Sequence, residues 1–125
     1  MAKTVDGLQV YQKAMAAAAE IFALLDRPAF QRDLQLRSQL NAASIRVPSD
    51  MSEGFEQKTD RHFAKYLRDS RGGCREIRTQ LALALQKRFI SNAEWTNISA
   101  LYEEIGKMLT GLIVYLERED WKHRT

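Results

Sequence analysis

The sequence predicts an all-α fold: an antiparallel, up-and-down four-helix bundle with a kinked second helix, assembled as a homo-oligomer. Three observations predict it. Apolar residues recur at spacings of three and four in four successive segments, which is the period of a helix with one buried face. Only two prolines and six glycines punctuate the 125 residues, and β-branched runs are scarce. The connections between the segments are short, which sets successive helices side by side and antiparallel. The length points to one domain over residues 1–125, and a chain of this size buries about two-thirds of its unfolded surface.

The first helix is expected to start near Leu8, with Asp6 as N-cap, Gln9 three residues on, and Val5 and Val10 spaced as a hydrophobic staple. Leu8, Tyr11, Met15, Phe22 and Leu25 line one face, and Val10, Ala14, Ala17, Ile21 and Leu24 line a second. Together they cover roughly 200° of the wheel, whereas one-sided packing needs a stripe of just over about 100°. The surplus predicts burial on two sides and hence contact between subunits. A central helix within one monomer is the alternative. Pro28 closes the first connection.

The second helix is expected from about Asp33 to Gly54, with Leu36, Leu40, Ala43, Val47 and Met51 on one face. Pro48 inside it removes one backbone hydrogen bond and crowds the carbonyl four residues back. A kink with the pattern continuing is expected, and an end at Val47 is the other option. The third helix begins after Thr59 as N-cap and runs to about Lys87. Its apolar face holds Phe63, Tyr66, Leu67, Ser70, Cys74, Ile77, Leu81, Ala84 and Leu85. The spacing holds across Gly72 and Gly73, each of which costs about 1 kcal/mol relative to alanine in a helix interior. Close approach of another backbone or a kink would account for them. The fourth helix has the clearest start. Ser91 and Glu94 have capping-box spacing, and Ile90 and Trp95 form the matching staple. Ile98, Leu101, Tyr102, Ile105, Leu109, Leu112, Ile113 and Leu116 then recur on one narrow face. From about Glu117 the tail is polar and is expected to fray.

Composition narrows the chemistry. A formal net charge of +3 and a pI near 9.2 permit a polyanionic partner without demanding one. The one cysteine, Cys74, excludes an intramolecular disulfide and thiolate clusters, which fits a reducing cytoplasm. The stretch MAKTVDGLQVYQKAMAAAAEIF reads as a helix rather than a signal peptide. No window reaches the roughly 18 apolar residues of a membrane span. The Glu-x-x-His spacing of carboxylate-bridged metal bundles is missing, and His62 and His123 lack ligand-spaced companions and are expected in solvent. Cys74 falls on an apolar face as a small buried hydrophobe. No glycine-rich loop followed by a phosphate-binding lysine is present. No catalytic residue, metal site or cofactor is therefore expected, and the chain does not read as an enzyme.

Charge distribution says more than net charge. Lys58, Arg61, Lys65, Arg68, Arg71, Arg75 and Arg78 share one arc of the third helix, opposite its apolar face, with Asp60, Asp69 and Glu76 near the edges. At 1.5 Å per residue the stripe is about 30 Å long, close to one turn of B-DNA. Such a ridge suits a phosphate backbone of RNA or DNA. Three other readings stay open: an ordinary solvated face, pairing of the arginines with carboxylates on a neighbouring helix, and ion pairing between subunits. A solvated face commonly mixes signs, with acid four residues before base, and this stripe holds few acids. No aromatic residue interleaves it, so base stacking is not indicated. Binding is expected to be weakly sequence-specific and sensitive to salt. A protein-interaction scaffold, in which the arginines meet an acidic partner protein, is the alternative function.

Four segments, in order, resemble one family. QLNAASIRVPSDMSEGF is similar to the signature segment of the four helix bundle proteins, which are related to proteins encoded in intervening sequences of bacterial large-subunit ribosomal RNA genes. Ala43, Ser44, Ile45, Pro48, Glu53 and Gly54 match, and Asp50, Met51 and Ser52 depart conservatively. In SRGGCREIRTQL, Gly72, Glu76, Gln80 and Leu81 agree and Gly73 replaces the usual serine. LQVYQKA and MLTGLIVYL also resemble the family. Members are similar to the accessory variability determinant of diversity-generating retroelements. The resemblance thus implies an antiparallel bundle, a homopentamer, a basic surface, and association with nucleic acid and a reverse transcriptase. It implies no enzymatic activity. Glu53 and Glu76 align with family acids, for backbone capping or pairing with arginines.

Overall fold

The computed structural model describes the backbone of residues 2–124 and the side chains of residues 2–118. After a 3-10 turn at Val5–Gly7 come α1 (Gln9–Leu25), α2 (Pro28–Gln31), α3 (Leu34–Phe55), α4 (Asp60–Gln86) and α5 (Asn92–Arg124). The four predicted helices are α1, α3, α4 and α5, and no strand occurs among the described residues. Helix α1 packs on α3, α3 on α4, α4 on α5 and α5 on α1, while α1–α4 and α3–α5 lie across the diagonals. This ring encloses Ile21, Leu40, Met51, Leu67, Ile77 and Leu109, all fully buried. Burying each such side chain stabilises the fold by about 1.5–3 kcal/mol.

Local chemistry sets three of the four starts. Asp33 accepts from the Leu36 N–H at 3.1 Å, and Thr59 accepts from the His62 N–H at 3.2 Å. At α5 the capping box is complete: Ser91 Oγ accepts from the Glu94 N–H at 3.1 Å, and Glu94 Oε1 accepts from the Ser91 N–H at 2.9 Å. Asp6 does not cap α1. It sits inside the 3-10 turn, and Leu8 is the N-cap without a side-chain bond. Gln12 Nε2 donates instead to the Asp6 backbone carbonyl at 2.7 Å. Pro28 does more than close a connection, because it opens the short helix α2 at a position that needs no N–H. The polar tail expected to fray from Glu117 continues α5 through Arg124. The apolar face ends there, but residues of good helix propensity follow with no proline or glycine among them.

Helix α4 ends in a Schellman arrangement. The Phe89 N–H reaches the Ala84 carbonyl and the Arg88 N–H reaches that of Leu85, both at 2.9 Å. Arg88 takes the left-handed position, at φ 63°.

The α3–α4 seam explains one of the two adjacent glycines. Helix α3 runs on through the buried Pro48. Opposite it, a Cβ at Gly73 would lie 2.8 Å from Val47 Cγ2. Gly54 repeats the device one end along, where a Cβ would meet the Tyr66 Cβ at 2.8 Å. Between them Ser70 Oγ donates to the Val47 carbonyl at 2.7 Å, a buried bond linking the two helices. Gly72 faces open space, with nothing within 4 Å of the corresponding position.

Of the two apolar faces of α1, the one carrying Val10, Ala14, Ala17, Ile21 and Leu24 fills the core. On the other face Leu25 is buried and Leu8 and Tyr11 pack against the core, while Met15 stays 49% exposed and Phe22 39% exposed. The surplus seen in the sequence is therefore an outward-facing apolar strip.

Candidate nucleic-acid interface

Lys58 precedes α4, and Arg61, Lys65, Arg68, Arg71, Arg75 and Arg78 lie along it. All are exposed except Arg71, which is half-buried. The antiparallel neighbour α5 runs beside this edge and meets part of it. Arg68 forms an ion pair with Glu117, and Arg78 lies 3.9 Å from Glu103. Arg71 Nη1 donates to Thr110 Oγ1 at 3.1 Å. The stripe is thus not uniformly free. Its members on the α5 side reach across to α5 acceptors, because neighbouring antiparallel helices place those groups within a side chain's length. Exposed pairs of this kind contribute about 0.2–1 kcal/mol, so a stronger anion can displace them. Lys58, Arg61, Lys65 and Arg75 make no ion pair among the described residues.

Between α4 and α5 the cations converge on a groove of about 360 Å³. Arg71, Arg75 and Arg78 form one wall, Lys107 and Thr110 the other, and among the described residues Glu103 is the one carboxylate that lines it. Cys74, Tyr102 and Gly106 make the floor. Burial pushes the Cys74 thiol up to about 12 and raises the Tyr102 phenol as well. The floor is therefore neutral near pH 7 and repels no anion. Lys107, Glu103, Gly106 and Thr110 did not stand out in the sequence. Their signal was present as a spacing of three and four along α5, beside its apolar face.

The family-motif residues go elsewhere. Ser44 is buried, with its Oγ donating to the Leu40 carbonyl at 2.7 Å. Pro48 is buried in α3 and faces the α1 side, Gly54 belongs to the α3–α4 seam, and Glu76 lies 3.6 Å from Arg46 across that seam. Gln80 is buried, Gly72 is half-buried, and Glu53 is exposed without a side-chain partner among the described residues. Gly54 and Glu76 meet the neighbouring helix, and the family-motif residues do not gather into one site. His62 is exposed, with Nδ1 2.8 Å from Thr59 Oγ1; His123 lies outside the described side chains.

A second groove, of about 500 Å³, separates α1 from α3 and is lined by Tyr11, Met15, Phe22, Ile45, Pro48 and neighbouring small residues. Ile45 is 47% exposed there. Among the described residues no helix is long and apolar enough to cross a membrane.

The family model for the 23S rRNA-intervening sequence protein matches residues 6–111. No curated protein matches the chain. Among solved structures, it is similar to a protein of unknown function from the S23 ribosomal protein family of Bacteroides thetaiotaomicron. The TM-score is 0.76, at 19% identity over 83% of this chain and 97% of that one. Similarity at that identity establishes the shared helical-bundle fold.

Proposed function

We propose that this chain, which belongs to the 23S rRNA-intervening sequence protein family, is a non-enzymatic, oligomeric bundle that binds the phosphate backbone of RNA or DNA. The supporting observation is the run of cations along α4. Of its seven members, only Arg68 and Arg78 meet a carboxylate among the described residues. The contacts are electrostatic, so affinity follows counterion release. The outward strip of Met15 and Phe22, with the groove beside Ile45, supports self-association through α1 and α3. A homopentamer is the assembly the family resemblance favours, and a nucleic-acid enzyme such as a reverse transcriptase is the protein partner it favours. The compartment that suits a chain with one buried thiol is the cytoplasm.

The test is salt-dependent binding. Lys58, Arg61, Lys65, Arg71 and Arg75 are the stripe members without a carboxylate partner among the described residues. Neutralising about five phosphates of duplex DNA gives a slope of log affinity on log salt near −4.5. Fluorescence anisotropy with a labelled duplex between low and physiological salt measures it, and a flat dependence refutes the mechanism. The triple substitution Arg68→Glu, Arg71→Glu, Arg75→Glu is expected to abolish binding with helicity intact. Capture of a single protein partner that survives nuclease treatment, with no affinity for either nucleic acid, would replace this reading with a scaffold.

A further inference from the structure

We infer that the groove between α4 and α5 is a discrete oxyanion site that seats one phosphate or pyrophosphate group, with Glu103 as the placeholder that the anion displaces. The inference deepens the phosphate-binding reading above and rests on it for the nucleic-acid source of the ligand.

Four observations carry it. First, Arg71, Arg75, Arg78 and Lys107 surround one volume of about 360 Å³, at the small end of the range for ligand pockets. That suits a phosphate or pyrophosphate rather than a duplex. Cations from two helices converge there, whereas a solvated ridge would splay them apart. Second, Glu103 is shared loosely. It lies 3.9 Å from Arg78 and 3.7 Å from Lys107, well beyond the roughly 2.7–2.9 Å of a charge-assisted hydrogen bond. A tetrahedral anion with more charge and more acceptors competes favourably for both cations. Third, Arg71 Nε is screened from solvent and has no acceptor among the described residues, while its Nη1 reaches Thr110. A donor left without an acceptor is unfavourable, and the guanidinium as a whole has a neutral hydroxyl and no carboxylate as partner among the described residues, so it has charge and donors to offer an oxyanion. Fourth, Gly106 in the floor has nothing within 4 Å of where a Cβ would stand. Bundle packing does not require a glycine there, and its absent side chain leaves the groove open to an anion.

The chemistry is that of binding, with no covalent step. The guanidiniums of Arg71, Arg75 and Arg78 donate to the phosphate oxygens, and Lys107 adds a point charge from the opposite wall. Among the described residues no exposed aromatic ring lines the groove, so the site reads phosphate and not base.

Isothermal titration of the full chain with inorganic pyrophosphate tests the proposal. One pyrophosphate per chain is expected. Arg75→Glu and Lys107→Glu should each weaken it by about ten- to a hundredfold, the range for hydrogen bonds to charged groups. Glu103→Gln should tighten it. Gly106→Leu changes no charge and raises helix propensity, yet should abolish binding by filling the groove. Arg61→Glu, outside the groove, should leave pyrophosphate binding unchanged. Absence of pyrophosphate binding overturns the site, as does equal weakening by Arg61→Glu and Arg75→Glu, or full binding by Gly106→Leu. The two readings fail separately. A chain that binds duplex with a steep salt slope but not pyrophosphate loses only the groove, and one that binds pyrophosphate in the groove but no nucleic acid loses only the backbone reading. Matched RNA oligonucleotides with and without a 5′-phosphate then identify the source. A 5′-phosphate preference lost in Lys107→Glu assigns the site to strand ends, and equal affinity beside retained pyrophosphate binding assigns it to free phosphates.

Discussion

Gly72 and Gly73 are adjacent in sequence and alike in composition, yet alanine at the two positions should act with opposite sign. At Gly72 a Cβ enters open space, so the substitution contributes only the helix-propensity gain of about 1 kcal/mol. At Gly73 the same gain is set against a Cβ placed 2.8 Å from Val47 Cγ2. Val47 is fully buried, its β-branched side chain is stiff in a helix, and its carbonyl is tied to Ser70. It cannot turn away, so overpacking costs about 1–3 kcal/mol. The net change at Gly73→Ala is a destabilisation of about 1 kcal/mol, which puts the pair about 2 kcal/mol apart. Thermal unfolding by circular dichroism at matched chain concentration reads this difference. At roughly 4 °C per kcal/mol for a domain of this size, the two melting temperatures should differ by about 8 °C. Equal melting temperatures for the two variants would refute the close α3–α4 approach.

Three further outcomes are expected. The Arg27 guanidinium holds Glu94 down to about 2 against an ordinary value of 4.5, with Nη1 to Oε1 at 2.9 Å. A carboxylate depressed on folding stabilises the fold above the ordinary value, and that contribution is lost as pH falls from about 4.5 toward 2. Acid titration of stability should show the loss in the wild type and a smaller one in Glu94→Gln. Asp50 is shifted the other way, by burial and by the neighbouring Asp69. Its ionised form opposes folding above the ordinary carboxylate range, so Asp50→Asn should raise the melting temperature at pH 7, and a lowered one would contradict the sign. Arg88 holds the left-handed position at φ 63°, which costs a non-glycine residue roughly 1–2 kcal/mol. Arg88→Gly should therefore shift the urea midpoint upward with an unchanged slope.

Helix faces and caps were legible because they depend on residues three or four apart. The capping box at Ser91 and Glu94, the cap at Thr59 and the apolar run through Cys74 and Ile77 all fall where the spacing put them. What required a neighbouring helix was not legible. Pairing of the arginines with a neighbouring helix was one reading of the stripe, but only the adjacency of α5 names Glu117 for Arg68 and Glu103 for Arg78. The groove was hidden for the same reason, since Lys107 and Gly106 gain meaning only opposite Arg75. The sequence could not separate Gly72 from Gly73, because the distinction lies in which one faces Val47. At the N-terminus, Asp6 had the right spacing to cap α1. The 3-10 turn absorbed it, a choice made by backbone hydrogen bonds from the Gly7 N–H to the Thr4 carbonyl and from the Leu8 N–H to the Val5 carbonyl.

Pro48 has no N–H to give the Ser44 carbonyl, so α3 lacks one rung of its own ladder beside the place where Ser70 of α4 holds the Val47 carbonyl. Parting the two helices would break that buried bond and expose the weakened turn at once. They should consequently breathe as one cooperative unit, with amide protons on both sides of the bond exchanging at a common rate. Helix α1 presents mainly alanines to the interior at its middle and is tied to α3 at its end, where Arg37 Nε donates to the Leu25 carbonyl at 3.3 Å, so the middle of α1 should release its protons sooner.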